Sequence, residues 1–370
     1  MAEKIKFIDK NKSDFFITLR RRVDEYFETN KISKNANTFM VFKSIFYLGS
    51  FFALYGLIIS NQFSATTMLW MAIALGVTSS LIGFNVCLDA IHGSYSSNEK
   101  VNKFFSFFFY LIGANVYVWS VSHNVVHHVY TNIPGHDEDI EIAPGLLRVT
   151  EEDKLKSLHR YQHIYGFLLY GFASLSWVFK KDYKKFFQDK IGQVDNSYPP
   201  KAEIFKLFFY KILYYIAFIV LPLLVLDITW WQFIIGFLCM HFAEGLVLGL
   251  VFQLAHLVEG TDIVETNVDG NVESAWAIHQ MNTTANFSSN SALATFLCGG
   301  LNMQVEHHMF PKICHIHYSN LVPIVRKTAE EFGVPYHENK TFIGALYSHM
   351  KVLKHYGADE LKRRKKLSLA

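Results

Sequence analysis

Long apolar stretches, widely spaced and separated by charged segments, set the character of this chain. Met40–Ser60 is one, and Thr66–Cys87 follows with 22 residues and no charge. As a helix the second run is about 33 Å long, enough to cross a bilayer. Phe205–Leu226 and Trp230–Leu254 form another pair, interrupted by Lys206, Lys211, His241 and Glu244. Phe104–Val121 and Tyr165–Phe179 are apolar but shorter or polar-edged, and predict interfacial or partly inserted helices. The turns at Asn61–Ala65 and Asp227–Thr229 hold none of the 35 Lys and Arg. The positive-inside rule therefore puts residues 1–39, 98–203 and 259–370 in the cytoplasm. Two transmembrane hairpins are predicted, 40–97 and 204–258. A soluble helical bundle competes poorly, because Thr66–Cys87 exceeds the usual buried-helix run.

Composition agrees. Apolar residues make up 51% of the 370 and charged residues only 18%, below the roughly 25% of soluble proteins. A net charge of +3 argues against a nucleic-acid partner. Four scattered cysteines exclude a disulfide scaffold, a zinc ribbon and an iron–sulfur site. Histidine stands out with 17 residues.

The histidines gather just after each apolar pair: Asp89-Ala-Ile-His92 and His123-Asn-Val-Val-His127-His128, then Gln253-Leu-Ala-His256 and Gln304-Val-Glu-His307-His308. His123 and His127, four apart, share one face of an α-helix, and His128 turns away toward a second ion. His307 and His308 diverge in the same way. Imidazole suits iron, zinc, copper or nickel, and the lack of cysteine ligands disfavours a closed structural zinc site. The pattern predicts a dinuclear centre that does chemistry. A non-catalytic metal-binding membrane protein is the reading from another class, but stores carry histidine tracts rather than separate boxes. No HExxH motif supports a zinc hydrolase.

Five segments carry a family resemblance: His92-Gly-Ser-Tyr-Ser, HNVVHHVYTNIPGHDEDIE (His123–Glu141), FQLAH (Phe252–His256), WAIHQMNTTANFS (Trp276–Ser288) and GGLNMQVEHHMFPKICHIHY (Gly299–Tyr318). Over about Asn85 to Thr328 the chain resembles the membrane fatty acid desaturases, in the bacterial acyl-lipid and linoleoyl-CoA-type branch. The resemblance implies an all-α membrane protein: four transmembrane helices in two hairpins under a cytosolic helical cap. It implies two non-haem irons that use O2 to attack an acyl methylene. Carried over residue by residue, the ligands are His92, His123, His127, His128, His256, His307 and His308. The substrate would be a fatty acyl chain on CoA, carrier protein or lipid. Without a cytochrome b5, flavin or nicotinamide motif in the chain, electrons would come from an external ferredoxin or cytochrome b5 system. The cap would face the cytoplasm, at the inner membrane if the source is bacterial.

One position departs from the pattern. Where the family's first box has a histidine four residues before His92, this chain has Leu88. Seven ligands then stand where eight are expected. Decay, a water-filled gap with desaturation continuing, halide bound in the gap, and hydroxylation are the four consequences weighed. The exact loss of one ligand favours halogenation with chloride as co-substrate, ahead of desaturation and then hydroxylation, with Leu88 setting the outcome. Around the centre, Asp89 is expected to orient His92 or another ligand. Glu306, Asn124, Gln304, His279 and Asn286 are expected beside the metals or the substrate. The acids of GHDEDIE read as a capping or solvated loop. His159, His163, His315 and His317 read as surface or headgroup contacts, Cys87 as a buried apolar residue, and Lys362–Lys366 as a solvated tail near anionic headgroups.

Overall fold

A computed structural model describes residues 5–10, 12–140 and 143–367, with side chains described through Gly357. Glu141 and the side chains of the Lys362–Lys366 run lie outside that description. The chain opens with α1 (Phe15–Asn30), a helix inside the segment expected only as an arm. Among the described residues, four helices are long and apolar enough to cross a membrane: α2 (Thr38–Ile59), α3 (Ala65–His92), α6 (Lys201–Val225) and α7 (Trp230–His256). They match the four predicted runs. α2 and α3 start on good caps, Asn37 accepting from the Met40 N–H and Ser64 from the Thr67 N–H. The second and fourth runs continue past their apolar limits, so that His92 and His256 end α3 and α7. In α3 the extension passes through a π-helical turn at Gly83–Cys87.

α7 lies against α3 at very short range. A Cβ on Gly76 would stand 2.0 Å from the Met240 carbonyl oxygen, so only glycine allows this crossing. At the opposite end from the histidines the two connecting turns clasp. Asn61 Nδ2 donates to Asp227 at 2.9 Å, and the Asp227 N–H donates to Asn61 at 3.0 Å. Outward-facing side chains such as Phe42, Trp70, Leu224 and Trp230 are exposed, as lipid-facing positions require. Three of the polar interruptions, Lys211, His241 and Glu244, are buried and hydrogen-bonded. Lys211 donates to two carbonyls and pairs with Asp182 at 2.8 Å. Ser174 joins His241 to Glu244.

The two shorter apolar runs differ from expectation. Phe104–Val121 is not one helix: α4 (Glu99–Leu111) and α5 (Val116–Tyr130) meet at 109°. Gly113 at φ +83° turns the chain, and Asn115 caps α5 through the Val118 N–H. Tyr165–Phe179 likewise breaks after Gln162–Tyr170. Beyond α7 come α8 (Trp276–Thr283), α9 (Gln304–Met309), α10 (Tyr318–Glu331) and α11 (Phe342–Leu367). The fold is mostly helical rather than purely so. β1 (Lys190–Ile191) pairs antiparallel with β2 (Val194–Asp195), and β3 (Ala285–Phe287) pairs parallel with β4 (His337–Asn339).

Candidate metal centre

Four elements converge their histidines at one end of the long helices. α3 delivers His92 from its last position, α7 delivers His256 from its last, α5 carries the second box and α9 the third. Two groups result. His92, His123, His128 and His307 form one, and His127, His256 and His308 the other; in each, the candidate ligand atoms lie within 4.8 Å of one another. All seven predicted ligands are thus brought together.

Their division differs from the α-helical expectation. His123 sides with His128, five residues on, and His127 joins the other group. Ser120–His127 is π-helical, and its i→i+5 winding aligns residues five apart. His307 and His308 separate as expected.

Five of the seven rings are held from behind. His127 Nδ1 lies 2.9 Å from Asp137, and His123 Nδ1 3.2 Å from Asp139. His308 Nδ1 meets Gln280 Oε1 at 2.8 Å, and His256 Nδ1 meets the Thr283 carbonyl at 3.2 Å. These partners only accept, so Nδ1 carries the proton and Nε2 presents its lone pair inward. His307 Nδ1 meets the Tyr318 hydroxyl at 3.2 Å. The Nε2 atoms of His92, His123, His127, His128, His307 and His308 are buried without a protein partner. Buried polar atoms are rarely left so. Six inward ring nitrogens without a hydrogen bond fit metal ions, and outer partners on Nδ1 are what metal-bound histidines have. The seventh, His256 Nε2, faces the Gln304 amide nitrogen at 3.0 Å. Burial and the neighbouring imidazoles hold His307 and His308 well below the ordinary histidine range, in the neutral form that binds metal.

Several outer residues are not those anticipated. Asp137 and Asp139 belong to GHDEDIE and are supports, Asp137 buried and Asp139 nearly so, rather than parts of a solvated loop. Burial alone would raise the Asp139 carboxyl, but Lys185 and His123 hold it well below the usual range. Thr283 and Tyr318 were also missed. The one signal available was four acids within seven residues of an otherwise charge-poor chain.

Asp89 does not bond His92. It pairs with His315 Nδ1 and accepts from Ser94 Oγ at 2.9 Å, while Lys43 reaches His315 Nε2 at 2.9 Å. His315, His317 and His159 are therefore buried, not surface contacts. Glu306 meets Asn286 at 2.7 Å and Tyr336 at 2.9 Å rather than a histidine of either group, and burial pushes its carboxyl up to about 7. Asn286 also accepts the Val305 N–H, bracing α9. Asn124 donates to the Ile91 carbonyl at 3.0 Å, fastening α5 to the end of α3. His279 is buried beside Phe7 with both ring nitrogens unpartnered, outside both groups. Cys87 is buried and free, as expected. Leu88 is buried in the large apolar cluster that also holds Phe109, Ile112 and Leu248.

A family profile described as fatty acid desaturase matches residues 64–340. The chain belongs to the fatty acid desaturase family. It is 34% identical over 97% of its length to an acyl-lipid (8-3)-desaturase of Physcomitrium patens, covering 75% of that protein. It is 33% identical to an sn-1 linoleoyl-lipid 6-desaturase of Synechocystis sp., covering 96% of this chain and 98% of the other. A probable Delta(5) fatty acid desaturase C of Dictyostelium discoideum is 33% identical, over 96% and 78%. As a member of this family with four membrane-crossing helices, the chain is an oxidoreductase integral to the membrane. The expected lean to halogenation finds no support: these relatives are desaturases by name.

Proposed function

We propose that the protein introduces a double bond into a fatty acyl chain carried by a membrane lipid. The observation that carries this is the pair of buried imidazole groups, four and three, with inward ring nitrogens, at the end of bilayer-length helices. Iron suits an all-nitrogen site of this kind. His92, His123, His128 and His307 would hold one ion, and His127, His256 and His308 the other. Two such ions would supply dioxygen activation and removal of hydrogen from an unactivated methylene.

The chain's own residues do the rest. Asp137, Asp139, Gln280 and the Thr283 carbonyl fix the ring orientations, so each lone pair is already aimed when metal arrives. Burial keeps bulk water from six of the seven rings. Gln304, with its amide nitrogen on the Nε2 of His256, holds that ring in its orientation beside the site. Leu88 packs the helix end rather than shaping the product, and the reading takes no chloride.

In the membrane, residues 40–97 and 204–258 form two hairpins entering from the cytoplasm. The cytosolic segments 1–39, 98–203 and 259–370 form the cap. The Asn61–Asp227 clasp supports this, because it joins the two turns that lack Lys and Arg, at the end away from the histidines. Electrons come from a separate ferredoxin or cytochrome b5 system.

The test is metal analysis of the purified protein with mass spectrometry of lipids from expressing cells, halide varied. Two irons per chain and acyl chains lighter by two hydrogens are expected. Zinc alone, or a halogen isotope pattern, would overturn the reading.

A further inference from the structure

Of the seven histidines in the two groups, six are buried and His92 alone is partly exposed. The exposed side of His92 lines a groove of about 550 Å³, within the roughly 300–1,000 Å³ of small-molecule sites. Ile91, Val116 and Ser120 complete the floor beside it. α4 and α6 form the walls. Along each wall helix the groove changes character. Its first turns are charged, with Glu99 and Lys103 on α4 and Glu203 and Lys206 on α6. Further along come Phe107, Tyr110 and Tyr210, and the last two rings stack at 4.0 Å.

The outer sides of these helices are apolar and exposed: Phe104 is 58% exposed and Phe205 66%. Such surfaces rest in a bilayer, so the groove opens sideways at headgroup level. Its charges are balanced, two lysines against two glutamates. Lys103 pairs with Glu99 at 3.2 Å and Lys206 with Glu203 at 2.7 Å, each within its own helix. The Lys103–Glu99 pair is exposed and the Lys206–Glu203 pair partly so, and ion pairs in contact with solvent hold weakly. A phosphate can take the lysines while an ammonium takes the glutamates.

We infer that this groove admits the acyl substrate laterally from the bilayer, and that it fits a zwitterionic phosphoglyceride of the phosphatidylethanolamine type. The headgroup sits between Lys103 and Lys206, and one acyl chain runs over Ile91 to His92. A soluble thioester with a polyanionic carrier would meet the glutamates with nothing to offer them. This inference rests on the proposed lipid desaturation and names its carrier and its route.

The experiment is photolabelling of the full-length protein in vesicles, using phosphatidylethanolamine with a diazirine in one acyl chain. Label is expected on peptides carrying Ile91–Gly93, Val116–Ser120 or α4. The double variant Lys103→Glu, Lys206→Glu should lower it about tenfold, as charge juxtaposition of like sign does at a recognition surface. Lys100→Glu, exposed and outside the groove, should leave it unchanged. Unlabelled phosphatidylethanolamine should compete better than phosphatidylglycerol, and an acyl-CoA should not compete. Label elsewhere, label insensitive to the double variant, or displacement by acyl-CoA at lower concentration would overturn the inference. Labelling needs no turnover. A labelled groove in a protein that never desaturates lipid would refute the proposed function alone. A lipid desaturase without label there would refute the groove alone.

Discussion

Asp137 and Asp139 aim their histidines from behind, so removing a charge there should leave the fold intact and loosen the metals. Asp137→Asn is expected to cost 10–100-fold in metal affinity or activity, the usual range for such a support. His127→Ala should abolish turnover and lower the iron count, since no other imidazole can enter its place. Iron analysis with a lipid assay checks both; full activity in His127→Ala would remove that residue from the site. Leu88 is a different case. Buried among Phe109, Ile112 and Leu248, it should respond to Leu88→Ala as a core leucine does, losing about 2–5 kcal/mol of stability. A lower Tm with the same lipid product is expected, and a changed product would return Leu88 to the chemistry. At this scale the seven histidines were legible because paired boxes follow apolar runs. Their division was not, because it depends on π-helical winding at Ser120–His127, which regular 3.6-residue periodicity hides. Asp137 and Asp139 were missed because acids in a loop look alike until folding shows which are buried.

The helices were the easiest elements to read, since length and apolarity suffice for a bilayer span. Their crossings were not. Gly76 is one glycine among several in the runs, yet it alone lets the Met240 carbonyl approach so closely. Gly76→Leu should push α3 from α7 and displace His92 and His256 together. The expected outcome is loss of folded protein in detergent, with Gly49→Leu, whose Cβ site is open, tolerated as control. Equal folded yields from the two variants would show that the crossing yields more easily than the distance implies. The bend between α4 and α5 was equally hidden: Phe104–Val121 reads as one apolar run, and Gly113 with Asn115 divides it.

Across the whole molecule, the two turns clasped by Asn61 and Asp227 should share one side of the membrane. Reporter fusions in 61–65 and 227–229 are expected to report the outside, and a cytoplasmic signal from either would break the two-hairpin arrangement. Removing metal should be felt everywhere at once, because the ligands come from four elements spread along the chain. Chelation is expected to lower Tm, by linkage between binding and folding, and iron to restore it. An unchanged Tm would mean the imidazole groups are held by the protein alone.

The four-and-three division of the histidines also orders events in time. Each group draws one member from α9, through His307 and His308, and the rest from segments made much earlier. A nascent chain that has already made all four apolar helices still holds an incomplete set, three imidazoles in one group and two in the other. Neither group is complete until synthesis has passed His308. A chain halted before Gln304 would hold its apolar helices without a finished centre, so insertion into the membrane precedes assembly of the site.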